Sequence, residues 1–390
     1  MKKLKILIIG GGMYVSGRGT DNYGTIIPAL LTAKKKGLIE EVFIATTSSK
    51  TAHSAYVTLK KISKLMQVKL KCGYIPKIKS NVFAYKEALK IFDPDAVIIS
   101  VPDHLHSKIC LDVLSHKKHC LIAKPMAPTY KEGLKMLKAS KKAGVVAQVE
   151  FHKRLDESNI LLKESIYKKK IGTPLYVTIE YSQQKKIPEK FFKKWSSKTN
   201  IFAYLGVHYV DLLYFLTEYK PRSITAWGQK EYLIKKGIDT YDSMQVVIEW
   251  QNNKNKFISS HITNWIDSNK STALSDQKIN FVGTKGRYQA DQKNRGISLV
   301  TDFDGPKSLN PYFSSSFSFS RETPISFNGY GINNINQFLL DIIQYKEGKI
   351  TLKQLDKSRP TFKSSIISTA VLDAAYKSLK NNNKKIKINL

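Results

Sequence analysis

The segment KILIIGGGMYVSGRGTDNYG, residues 5–24, carries residue types suited to holding a dinucleotide phosphate. An apolar run passes directly into glycines, and a glycine lets backbone N–H groups approach a pyrophosphate, with a following helix start favouring the negative charge. Gly10 and Gly12 fill the first two positions of G-x-G-x-x-G, and Met13 follows in the same turn. The third position falls on Val15, and the stretch to Gly24 is expected to delay the next helix to about Gly24, giving a longer and wider loop. Gly17, Gly19 or Gly24 then takes over the packing duty of the third glycine, and Arg18 is placed to reach a phosphate. For this segment alone, a tight strand-to-helix turn with no ligand is an equal alternative. After the second strand the chain reads ATTSSK, 45–50, with no carboxylate to bond a ribose 2′-OH or to repel a 2′-phosphate. Thr47, Ser48 and Lys50 offer donors there, so the cofactor expectation is NAD(P), tilted toward NADP; a polar turn is the plain alternative. In HLHSK, 104–108, His104 and His106 alternate as metal ligands do, but no matching cysteine or carboxylate cluster accompanies them. The expectation is no metal and the edge of a nucleotide site, with Ser100, Pro102 and His106 on the cofactor side.

These residues need a scaffold. In the first 150 residues short apolar runs alternate with helical periodicity, the signature of β-α-β units and a parallel sheet. Strands are expected at 5–10, 42–47, 96–101, 119–123 and 145–151, with helices at GTIIPALLTAKKKG, SNVFAYKEALKIF, HSKICLDVLSHKK and TYKEGLKMLKASKKAG. From about residue 172 the runs lengthen and alternate, as in PLYVTIEYSQQ, DSMQVVIEWQ and KFISSHITNWI, which predicts a mostly antiparallel sheet. QNNKNK, 251–256, reads as a hairpin connection, and GTKGRY, 283–288, as a hairpin turn because no helix follows it. The segment 311–331 reads as a long loop of the kind that is often functional. The fold class is therefore α/β: a doubly wound domain over 1–150 and an α+β domain with a large, mostly antiparallel sheet over 151–390.

Composition narrows the function classes. The formal charge is +33, with 57 lysines to 7 arginines spread along the chain, whereas readers of bases and phosphates rely on arginine forks. A lysine-biased composition outweighs nucleic-acid binding, although the charge favours small anionic substrates. No apolar run is long enough to span a bilayer and no cleavage-type signal follows MKKLKILIIGGG, so a cytoplasmic protein without membrane contact is expected. The cysteines 72, 110 and 120 have no C-x-x-C spacing and are expected to be reduced.

Two further stretches, VPDHLHSKICLDVLSHKKHCLIAKPMAPT at 101–129 and GVHYVDLLYFL at 206–216, stand in order after the glycine loop. Together with IGTPLYV and GTKGRYQADQ they make the chain resemble the glucose-fructose oxidoreductase, inositol dehydrogenase and rhizopine-catabolism family (Gfo/Idh/MocA) over about its whole length. The resemblance implies an N-terminal Rossmann domain and a C-terminal α/β domain whose open sheet assembles homodimers or homotetramers. It also implies NAD(P)-dependent oxidation or reduction at a ring carbon of a sugar, nucleotide sugar or cyclitol. The family's catalytic lysine falls on Lys124, beside Pro125 on the cofactor side, but its preceding glutamate is here Ala123. An aspartate found in many members four residues before the motif histidine is here Tyr204. Hydride transfer from a carbinol requires the hydroxyl proton to leave, which implies Lys124, if burial lowers its pKa, and His208, with Tyr204 one helical turn earlier and Asp211 orienting nearby groups. The family's substrate contacts fall on His152, Lys153 and Arg154. The two departures also leave open a cofactor-binding regulatory or scaffold protein with reduced catalysis.

Overall fold

A computed structural model describes residues 2–20 and 22–390. The chain forms two compact units: Met1–Met126, Lys131–Leu155 and Tyr312–Ser365 make the first, and Ala127–Tyr130, Asp156–Pro311 and Ile366–Leu390 the second. The division is thus not a single cut near residue 150, because 312–365 returns to the first unit. The reason is burial: Ile335, Phe338, Leu339 and Ile342 on the helix Tyr330–Lys346 fill the same core as Ile27, Leu30 and Leu31 of the helix Ile26–Lys35.

The first unit is built on six parallel strands, β1 (Leu4–Ile9), β2 (Ile39–Ala45), β3 (Lys71–Ile75), β4 (Ala96–Ile99), β5 (His119–Ala123) and β6 (Ala147–Glu150), in the order β3-β2-β1-β4-β5-β6. The central strands read as unbroken apolar runs because helices cover both faces of such a sheet. The strand order reverses between β1 and β4, and ligands bind such sheets in the crevice beyond the carboxyl ends at that point. Gly10, Ser100 and Lys124 all leave the sheet on that edge. Two elements escaped the sequence pattern. The β3 strand KCGYI is a partly exposed edge strand, and the helix Ser49–Leu65 is so lysine-rich that only Ala52, Ala55, Leu59 and Ile62 mark its buried face.

The second unit carries β7 (Pro174–Gln184), β8 (Lys220–Gln229), β9 (Ser243–Gln251), β10 (Lys256–Asp267), β11 (Ser275–Gly283) and β12 (Gly286–Asp291), joined by the last strand of the chain, Ile386–Lys387. The order is β12-β11-β7-β10-β9-β8 followed by that terminal strand; β7 and β10 pair in parallel and all other neighbours antiparallel. Alternation sends Met244, Val246, Ile248 and Trp250 of β9 and Phe257 and Trp265 of β10 to one buried face. The opposite face exposes Tyr176, Trp227, Ile258, Ile262 and Ile266. The 251–256 hairpin and the 283–286 turn form as the sequence predicts. The segment 311–331 is not structureless: it folds back as a short hairpin pairing Ser315–Phe317 with Ser326–Asn328. Among the described residues no helix is long and apolar enough to cross a membrane.

Candidate functional site

The glycine turn separates into two kinds of position. Gly10 has φ +122°, and a Cβ there would lie 1.9 Å from the Ser100 carbonyl oxygen, so packing against the end of β4 demands glycine. Gly12 is exposed, has φ −82° and ψ −165°, and a Cβ there would meet nothing within 4 Å. Nothing in the chain itself requires glycine at 12; an open backbone face is what a closely approaching phosphate requires. The helix is not delayed to Gly24: one turn, Met13–Ser16, starts at once, with Val15 and Ser16 N–H donating to the Gly12 carbonyl at 3.1 and 3.0 Å. Gly17 ends that turn at φ 70°, and the loop doubles back so tightly that a Cβ on Gly17 would fall 1.7 Å from the Asn22 carbonyl oxygen. The close packing expected of a third glycine is therefore met by Gly17 and Gly24, and the helix Ile26–Lys35 follows.

Arg18 extends from this loop to the start of the helix Ser49–Leu65, where its guanidinium donates to the Thr51 hydroxyl at 2.6 Å. Thr47 and Lys50 are exposed beside it, Ser48 is the residue preceding the helix, and no carboxylate occurs between 45 and 50.

At the end of β5, Lys124 keeps some surface exposure. Loss of hydration nevertheless brings its amine down to about 8, against the upward pull of the Asp103 and Glu150 carboxylates. His106, expected on the cofactor side, has both ring nitrogens beside backbone carbonyls. It is wholly buried, with Nδ1 2.7 Å from the Pro125 carbonyl and Nε2 2.9 Å from the Val101 carbonyl. Nδ1 therefore braces the turn that carries Lys124, while Nε2 reaches the segment after β4. On β6, Glu150 is the register partner of Ala123 and is 4% exposed. Both its carboxylate oxygens accept from His152 Nδ1, at 2.8 and 2.9 Å. The His152 ring lies against Phe313 at 5.0 Å, Tyr330 at 5.6 Å and Tyr14 at 6.3 Å. The hydroxyl of Tyr14 is buried, and burial followed by the Glu150 charge holds it protonated well above the usual phenol range. The structure thus gathers Gly10, Gly12, Met13, Ser100, Lys124 and His152 in the first unit. Glu150 is the residue the motifs missed; its signal is a charge at the end of the apolar strand AQVEF, where a buried side chain is expected.

Lys153 and Arg154 follow His152 in a 3-10 turn and are both buried, Arg154 reaching the Ser364 hydroxyl at 3.5 Å. Tyr204, His208 and Asp211 belong to the second unit. The helix Val207–Thr217 holds His208 and Asp211 buried, with the His208 ring 6.5 Å from that of Tyr181. Tyr204 lies in a π-helical turn, Phe202–Gly206, that runs without a break into the helix Val207–Thr217, so it stands about one turn before His208 as the sequence predicts. Its ring packs among Phe192, Trp195 and Trp265 at 5.0 to 6.1 Å. Among the described residues no group of three metal-binding side chains occurs.

Comparison with known proteins adds a family to this geometry. Residues 4–151 match the model of an oxidoreductase family with an NAD-binding Rossmann fold, and residues 160–289 match the GFO/IDH/MocA C-terminal domain. The myo-inositol 2-dehydrogenase of Thermotoga maritima is 25% identical over 231 residues, 57% of this chain and 65% of that protein. The 1,5-anhydro-D-fructose reductase of Ensifer adhaerens is 24% identical over 166 residues, 42% of this chain and 49% of that protein. The matches span less than two thirds of the length of these curated relatives. In fold, the WlbA dehydrogenase from Bordetella pertussis in complex with NADH and UDP-GlcNAcA superposes with a TM-score of 0.70 at 18% identity, all of both chains being covered. The scyllo-inositol dehydrogenase from Lactobacillus casei with NAD(H) and scyllo-inositol gives 0.66 at 16% identity, with 99% of each chain covered.

Proposed function

The chain belongs to the Gfo/Idh/MocA family of oxidoreductases, and from that premise we propose that it is an NAD(P)-dependent dehydrogenase or reductase acting at a ring CH–OH of a sugar, nucleotide sugar or cyclitol. One observation carries the reading: an amine brought to about 8, Lys124, stands on the same sheet edge as a glycine whose backbone face is left open, Gly12. The nicotinamide, when bound, supplies the hydride acceptor or donor. The chain's own residues do the rest. Gly10, Gly12 and Met13 give the pyrophosphate its backbone approach, and Ser100, Pro102 and Pro125 line the same edge. Arg18, Thr47, Ser48 and Lys50 offer a cationic, hydroxyl-rich end without a carboxylate, which supports a preference for NADP. Neutral Lys124 accepts the substrate hydroxyl proton on oxidation and returns it on reduction. His208 is the second proton-handling group, with Tyr204 and Asp211 acting on the substrate side. His152, Lys153 and Arg154 contribute polar and cationic contacts suited to hydroxyl-bearing or anionic sugars. The first unit is assigned to the cofactor and the second to substrate and assembly, with Tyr176, Ile258 and Ile262 on an exposed sheet face suited to a second copy.

The test is Lys124→Ala: turnover falls by about two to four orders of magnitude while cofactor affinity stays. Full turnover in that variant removes the mechanism. Ala123, lacking the family's carboxylate, favours one competing reading, a cofactor-binding regulatory protein. Tight cofactor binding without any change in reduced-nicotinamide absorbance across a panel of sugars and cyclitols decides for it.

A further inference from the structure

We propose that Glu150 is a positioning residue for proton handling, supplying from β6 the carboxylate that β5 lacks at Ala123 and fixing Lys124 and His152 in their working places. This rests on the reading of Lys124 given above. The two positions are register partners on adjacent parallel strands, so a side chain on either meets the same edge of the sheet. A carboxylate buried as deeply as Glu150 is costly unless paired and hydrogen-bonded, and the pairing here is specific. Both oxygens converge on a single nitrogen, His152 Nδ1, which donates to them and leaves Nε2 as the other end of the ring. Aromatic rings of Phe313, Tyr330 and Tyr14 pack on that imidazole, so its direction is set by the carboxylate and by packing together. The same negative charge supports the Lys124 ammonium against burial.

The groups around this centre come from five places. Asp103 follows β4, Lys124 follows β5, Tyr14 comes from the glycine loop, His152 from the turn after β6 and Tyr330 from the helix Tyr330–Lys346. Asp103 and Glu150 are the two acids acting on Lys124. Removing Glu150 leaves the amine with burial opposed by Asp103 alone, so its proton is held less tightly. It also takes away the charged acceptor that orients the His152 ring.

The experiment compares Glu150→Gln with the unaltered protein in two ways. On cofactor-free protein, competitive acylation across pH, read by mass spectrometry at the Lys124 peptide, follows the amine directly. In turnover, the pH profile and the kcat against KM split are measured. The expected result is a Lys124 titration moved to lower pH, a rate profile moved with it, and kcat reduced about 10- to 100-fold with cofactor affinity kept. Adding Ala123→Glu to Glu150→Ala returns most of the loss, since the carboxylate re-enters from the partner position. An unmoved Lys124 titration and pH profile in Glu150→Gln overturns the proposal and leaves the role of Lys124 intact. Full turnover in Lys124→Ala instead overturns the reading beneath it. If Glu150→Gln does not fold, nitrogen NMR of the histidines in unaltered protein decides: His152 must carry its proton on Nδ1, and a ring protonated only on Nε2 overturns the proposal.

Discussion

Replacing Gly10 and Gly12 separately by alanine separates what the fold needs from what the ligand needs. At Gly10 the alanine meets φ +122° and a carbonyl oxygen 1.9 Å from its Cβ. Strain of about 1–3 kcal/mol for the backbone and a similar amount for overpacking predict a loss of about 2–6 kcal/mol, or a melting point lower by roughly 4–24 °C at about 2–4 °C per kcal/mol. At Gly12, φ −82° and ψ −165° suit alanine and its Cβ touches nothing, so the reduced freedom of the unfolded chain raises stability by about 0.4–1 kcal/mol. In the proposed cofactor placement the same methyl stands where the pyrophosphate approaches. Losing one charge-assisted hydrogen bond, about 1.5–3 kcal/mol, weakens cofactor binding about 10- to 150-fold. Differential scanning fluorimetry without ligand and calorimetric titration with NADH and NADPH read the two effects independently. A Gly12→Ala protein that binds cofactor with unchanged affinity, or that melts as early as Gly10→Ala, refutes the argument.

Arg18→Ala is expected to weaken NADPH about tenfold while leaving NADH nearly untouched, measured as the ratio of dissociation constants; equal losses for both contradict a 2′-phosphate role. With Lys124 titrating at about 8, the rate of oxidation rises with pH through that value and the rate of reduction falls, because only the neutral amine takes a proton; Lys124→Arg abolishes this limb in kcat measured against pH. His119 is lowered to about 4 by burial and accepts the Val146 N–H at 2.9 Å, so its folded pKa lies below the unfolded value near 6.5. Between those values the unfolded chain binds more protons, so stability is full above about pH 6.5 and falls toward pH 4, by at most about 3 kcal/mol from this group; His119→Gln flattens that slope in urea titrations at pH 7.5 and 5. Ile258→Asp on the open sheet face is expected to shift the protein toward monomer in light scattering, and an unchanged mass places any subunit contact elsewhere.

The sequence alone determined whatever depends on neighbours along the chain. Apolar runs ending in glycine, alternation in the long strands and the turn-rich QNNKNK and GTKGRY stretches were enough for the doubly wound unit, the antiparallel sheet and its hairpins, because a strand's period and a turn's backbone are local properties. The one-turn helix at Met13–Ser16 was obscured by the later glycines, since a single turn has no period to detect. Tertiary structure alone decided which glycine serves packing and which stays open, for that depends on Ser100, across the sheet from Gly10. It also decided that His106 braces the Lys124 turn, that Glu150 pairs in register with Ala123, and that Tyr330–Lys346 completes a core begun at residue 4. Strand register, loss of hydration and charge proximity are set by residues far apart in sequence, so the pKa of Lys124 exists only once the chain has closed around it.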